Sequence, residues 1–151
     1  MYKKILAPLD GSEFSECSLE HVTAVAKGCD VPSVVLLKVV ETYHRYGGYT
    51  GLSEETVREA QKQARAKSED YLAKVAGKLK KKGVNAETAV VEGKPSDEIL
   101  NYADKNKVDL IIMSTHGSSG LTRWAFGSVA DRVIRYSAAP VLAIAPPGCR
   151  R

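Results

Sequence analysis

The chain has 151 residues, 44% of them hydrophobic and 26% charged, with 22 basic and 18 acidic side chains leaving a net charge of +4. That length and balance predict one soluble domain over residues 1–151, large enough to fold without a disulfide or metal staple. The charge is too small and too mixed to argue for a nucleic-acid partner, and no apolar run approaches the ~18–20 residues of a membrane span.

Lys4–Leu9 is a short apolar run that ends at Pro8-Leu9-Asp10-Gly11, and it reads as a strand and a turn. Ser12 is placed to cap a helix, with Glu13 and Glu16 in a first turn where the helix dipole favours acids. Leu19, Val22 and Ala26 share one face of that helix, and Gly28 supplies its stop. Ser33–Val40 (SVVLLKVV) is almost unbroken aliphatic sequence, as expected of a strand covered on both faces. The segment 41–53 mixes Gly47, Gly48 and Gly51 with Tyr43, Tyr46 and Tyr49, which reads as a loop. From Glu54 to Lys82 the spacing of Val57, Ala60, Ala64, Tyr71, Val75 and Leu79 predicts one long helix. Lys78, Lys80, Lys81 and Lys82 form its solvated end, where cations suit the dipole.

Asn85–Val91 reads as a third strand. Pro95 opens a helix at its first position, followed by Asp97 and Glu98, with Ile99 and Ala103 facing inward. Val108–Met113 is a fourth buried strand. A small-residue loop runs from Ser114 to Gly127, a helix from Ser128 to about Tyr136, and a fifth strand through Pro140–Ala145 before Pro146-Pro147-Gly148. Five alternations of strand and helix predict a doubly wound, three-layer α/β/α sandwich on a five-stranded parallel sheet. Cys17, Cys29 and Cys149 form no C-x-x-C pair, so neither a disulfide framework nor a zinc site is expected. The opening MYKKILAPLDGS has no signal-peptide h-region, and a cytoplasmic location is the simplest expectation.

In such a sheet, ligands bind beyond the carboxyl ends of the strands where strand order reverses. An order of 3-2-1-4-5 brings together the loops after the first and fourth strands. The second of these, STHGSSGLTRWAFGS, leaves room for backbone N–H groups to approach an anion, and Gly127-Ser128 opens a helix with unpaired donors. Glycine spacing alone leaves two readings open: a phosphate cradle, or plain turns with Ser128 and Asp131 as a capping pair. His116 reads as a turn histidine or a phosphate contact, and Arg123 as a phosphate partner or a solvated side chain. Trp124 and Phe126 read as anchors holding the loop to the body of the domain. Asp10 stands as the single acid at the site. There is no phosphate-loop lysine motif and no residue evident to position an attacking water, so an enzyme is not expected.

The loop resembles the ATP-binding signature of the universal stress protein family, G-x2-G-x9-G-(S/T), with Ser114 at the first position, then Gly117, Gly127 and Ser128. The likeness extends over KKILAPLDGS, LLKVV, VEGKPSDEIL, VDLIIMSTHG and GSVADRVIRYSAAPVLAI. It implies an adenine nucleotide alpha hydrolase-like fold and ATP as ligand, with any Mg²⁺ held through the phosphates. It also implies that Pro8 and Asp10 lie at the adenosine, that Val39 lines the adenine pocket beside Met113, and that Gly117, Gly127, Ser128 and Val129 hold the phosphates. Weak hydrolysis or self-phosphorylation, and a homodimer paired through Pro140–Ala145, are further implications, and the protein partner stays unspecified. Ser114 departs from the family's glycine: its hydroxyl either clashes with the nucleotide or donates to it. The alternative function is therefore a nucleotide-free dimeric interaction module on the same fold, with Ser114 impairing the site. A flavodoxin-like flavin protein is a weaker third, since the first loop lacks a Ser/Thr-rich phosphate cradle.

Overall fold

The computed structural model describes residues 1–42, 53–117 and 126–146. Its elements are β1 (Lys4–Pro8), α1 (Glu13–Glu16), α2 (Leu19–Gly28), β2 (Ser33–Val40), α3 (Glu54–Lys81), β3 (Ala86–Glu92), α4 (Pro95–Lys105), β4 (Leu110–Ser114), α5 (Ser128–Tyr136) and β5 (Val141–Ile144). The strands form one sheet in the order β3-β2-β1-β4-β5, and every neighbouring pair is parallel. This is the predicted topology, and β1 sits at its centre. The loops after β1 and β4 therefore meet at the reversal of strand order. Among the described residues no helix is long and apolar enough to cross a membrane.

Strand alternation sorts the aliphatic residues onto two faces. Ile5, Ala7, Val34, Leu36, Leu110 and Ile112 pack with Leu19 and Val22 of α2 and Leu72, Val75 and Leu79 of α3. Leu6, Val35, Leu37, Ile111 and Met113 pack on the other side with Ile99 and Ala103 of α4 and Ala130 and Val133 of α5. The unbroken run of β2 is thus two interleaved cores, which is why no polar alternation marks it.

Two expectations need correction. The helix predicted after Ser12 is broken in two. Ser12 does cap α1, accepting from the Ser15 N–H at 3.2 Å. The Ser15 hydroxyl then donates to the Ser12 carbonyl, and the Ser18 hydroxyl to the Ser15 carbonyl, each at 2.8 Å. These side chains occupy carbonyls near the α1–α2 break and favour a turn there. At the end of α2, Gly28 is the last helical residue, while the left-handed position belongs to Asp30 (φ 50°). The Val31 N–H closes that turn on the Ala26 carbonyl at 2.9 Å.

The long helix runs as predicted, but its burial is uneven: Ser68, Leu72, Val75 and Leu79 are its buried residues, and Ala60 is exposed. The basic run at its end is exposed as expected. Pro95 and the buried pair Ile99 and Ala103 match expectation in α4. The expected loop 41–53 falls outside the described residues from 43 to 52, and so do Pro147, Gly148 and Cys149. Cys17 and Cys29 are free thiols, and no group of metal-ligating side chains occurs among the described residues.

Candidate functional site

A cavity of about 280 Å³ opens at the carboxyl ends of β1, β2 and β4. That is close to the ~300 Å³ lower end of small-ligand pockets. Pro8, Asp10, Val39, Met113, Ser114, His116, Gly117, Gly127, Ser128 and Val129 all line it. Of the predicted site residues, Arg123 falls outside the described segments, as does Trp124, read as a loop anchor. Leu37, Ile99 and Ala130 complete an apolar wall that extends the α4–α5 core outward.

Asp10 is held on several sides. Its carboxylate Oδ1 accepts from the Ser12 N–H at 2.8 Å and the Ser12 hydroxyl at 2.6 Å. Its own N–H donates to the Ser15 hydroxyl at 3.3 Å. Its carbonyl accepts from Lys38 Nζ at 2.6 Å. Gly117 passes so close that a Cβ there would collide with Asp10 Oδ2. A side chain at 117 would therefore oblige the Asp10 carboxylate to move, before any ligand is considered.

Val39 shows how the sheet could read a planar group. The last ladder bond between β1 and β2 runs from the Leu9 N–H to the Leu37 carbonyl at 2.8 Å. Alternation turns the Val39 N–H and carbonyl to that same side, past the point where β1 turns into its loop. One donor and one acceptor therefore border the cavity beside the Val39 side chain.

The start of α5 forms the far wall. Its N-cap is Gly127, which has no side chain to close the first turn. Asp131 is no partner of Ser128: its carboxylate pairs with Arg135 Nε at 2.9 Å. The capping-pair reading therefore does not hold, and the first turn of α5 faces the cavity through Gly127, Ser128 and Val129. The Gly127 N–H donates to the Thr115 carbonyl at 2.8 Å, and a Cβ on Gly127 would lie only 3.3 Å from that oxygen. This close approach ties the helix start to the β4 loop.

Ser114 is 5% exposed, and its Oγ accepts from the His116 N–H at 3.2 Å. The hydroxyl is folded back into its own turn. His116 is 8% exposed, with Nδ1 hydrogen-bonded to the Thr115 hydroxyl at 2.9 Å. It is a buried, partnered side chain at the cavity edge.

Three features escaped the sequence reading. Glu41, just past β2, lines the cavity, so Asp10 is not its single acid. Phe126 does not anchor the loop: it is 53% exposed. Lys38, within the apolar β2, reaches the Asp10 loop and lies 5.6 Å from the centre of the Tyr71 ring. Burial pulls the Lys38 ammonium below its ordinary pKa, and the charge of Asp10 offsets part of that. The Tyr71 hydroxyl donates to Glu16 Oε1 at 3.0 Å. Burial, with this bond and the Glu16 charge, pushes its pKa well above the usual phenol value.

Residues 1–145 match the profile of the Universal stress protein family. The universal stress protein MJ0531 of Methanocaldococcus jannaschii is 37% identical over 147 residues, covering 97% of this chain and 84% of its own length. The structure of protein MJ0577, from the same organism, superposes with a TM-score of 0.83 at 34% identity and 96% coverage of both chains. A universal stress protein of Arabidopsis thaliana, solved with AMP bound, shares the fold with a TM-score of 0.67 at 18% identity, covering 95% of this chain and 92% of its own.

Proposed function

The chain belongs to the universal stress protein family, and on that premise we propose that it is an ATP-binding stress-response or signalling protein. The observation that carries this reading is the α5 start: a helix N-terminus whose cap residue is glycine, opening on a cavity whose opposite wall is apolar. Exposed amide donors and the positive end of the helix dipole suit phosphates. The apolar wall at Val39, Leu37 and Met113 suits a purine, and the Val39 N–H and carbonyl match the donor–acceptor edge of adenine.

In this reading Asp10 and Pro8 meet the ribose, and Gly117, Gly127, Ser128 and Val129 border the phosphates. Ser114, His116 and Arg123 stand alongside them. Mg²⁺ enters with the phosphates, held by their oxygens. The AMP carried by the Arabidopsis protein supports an adenine nucleotide on this fold. The protein works by binding, with at most slow hydrolysis, in the cytoplasm. It pairs with a second copy through β5, where Val141, Leu142 and Ala143 are only half-buried on a sheet edge that invites strand pairing.

Titration calorimetry with ATP, ADP and AMP, with and without Mg²⁺, tests this, together with mass spectrometry of nucleotide released on denaturation. Saturable ATP binding is expected. A protein that takes up none of the three would leave the nucleotide-free interaction module as the function.

A further inference from the structure

We propose that Lys38 is a positioning residue, a strut from the middle of the sheet that fixes Asp10 at the mouth of the cavity. The role assigned to Asp10 rests on the nucleotide-binding reading, but the strut itself does not. The Asp10 loop has its own internal bonds: Ser12 holds the Asp10 carboxylate and Ser15 accepts its N–H. Those bonds shape the loop, and the Leu9 N–H bond to the Leu37 carbonyl at 2.8 Å anchors its entry to β2. Lys38 adds a tie one residue further on, at Asp10 itself: its ammonium arrives from β2, 28 positions along the chain, and donates to the Asp10 carbonyl at 2.6 Å.

The ammonium is itself held in place. It lies 5.6 Å from the centre of the Tyr71 ring of α3, a distance at which the ring face attracts a cation. Tyr71 in turn donates to Glu16 of α1 at 3.0 Å, and Lys78 Nζ lies 3.6 Å from the same carboxylate. Residues of three elements, β2, α3 and α1, therefore form a chain of contacts that ends at one backbone carbonyl. The arrangement lies on the α2–α3 face of the sheet, whereas Leu37, Val39 and Met113 line the cavity from the α4–α5 face. Lys38 is not among the cavity-lining residues. Its effect on a ligand therefore passes through Asp10 and not through direct contact with phosphate.

Lys38→Met keeps the apolar stem over Tyr71 and removes the donor, and Lys38→Arg keeps a donor. Amide hydrogen exchange is read first, on protein free of nucleotide. In Lys38→Met the Ser12 and Ser15 amides should exchange about five-fold faster, with the amides of β2 unchanged and Lys38→Arg restoring the slow rates. Unchanged exchange at both serines overturns the strut, and so does faster exchange across the whole sheet. Calorimetry with adenosine, AMP and ATP follows. The dissociation constant of Lys38→Met should rise about five-fold for all three alike. A loss confined to ATP overturns the proposal by making Lys38 a phosphate ligand. If the unaltered protein binds none of them, the nucleotide reading falls, and the exchange data still decide whether Lys38 is a strut.

Discussion

Two helices begin at the same end of the sheet, on opposite sides of one cleft, and they begin differently. α1 is closed: Ser12 caps it, and Glu13 and Glu16 sit in its first turn. α5 is open: its N-cap is a glycine, and its acid, Asp131, faces Arg135. A side-chain cap spends one of a helix's orphan donors on its own chain. A helix whose N-cap is glycine keeps that donor for something else, at a cost in stability of roughly 0.3 kcal/mol relative to a good cap. On the nucleotide-binding proposal, the difference points to the phosphate side of the cleft better than the glycines do, since glycines also serve turns and close approaches.

The comparison can be broken most severely at Gly127. Gly127→Val should weaken ATP binding at least about 100-fold, near 2.7 kcal/mol. It should also lower the melting temperature by about 5 °C, because its Cβ would meet the Thr115 carbonyl at 3.3 Å. Undiminished affinity by calorimetry would place the phosphates elsewhere. A subtler test makes α5 resemble α1. Ser128→Asp puts a carboxylate in the first turn, which should stabilise the helix by about 0.5 kcal/mol and raise the melting temperature by about 1–2 °C. The same charge should repel phosphate and weaken ATP about ten-fold. Stability and affinity moving in the same direction would refute an anion site there.

Opening α1 is the converse. Ser12→Ala removes a cap and a partner of Asp10, so urea denaturation should show a loss of about 1 kcal/mol. ATP affinity should fall by less than about three-fold, because the Lys38 bond to Asp10 remains. The smallest effect is expected at Ser114. Its hydroxyl is already tied to the His116 N–H, so Ser114→Gly should change the ATP dissociation constant by less than about two-fold. Binding made ten-fold tighter in that variant would mean that the hydroxymethyl group obstructs the nucleotide.

The contrast between the helices also separates what could be read in the chain from what could not. Ser12 followed by Glu13 and Glu16 is a local signal, and so is Pro95 before Asp97 and Glu98. Both helix starts lie where they were expected. The aliphatic runs and the alternation of elements place the sheet, and with it the meeting of Asp10 and Gly117. The break between α1 and α2 was hidden, because it depends on serine hydroxyls competing for carbonyls within four residues and not on a helix-breaking residue. Asp30 in the left-handed conformation was hidden because Gly28 offered an easier stop. Lys38 reads as an oddity in SVVLLKVV, since Tyr71, which gives it a place, lies 33 positions later in the sequence. Glu41 joins the cavity only because β2 extends past the end of β1. Phe126 was misjudged because an aromatic side chain in a loop looks like an anchor until its neighbours are known.

The two cores on either side of the sheet have one more consequence. Leu36 and Leu37 are chain neighbours, yet they belong to separate clusters. Substitutions at such adjacent positions share few side-chain partners, so any coupling between them passes through the backbone they share. Repacking beneath α2 and α3 should therefore leave Leu37, Ile99 and Met113, the cavity wall on the other face, in place.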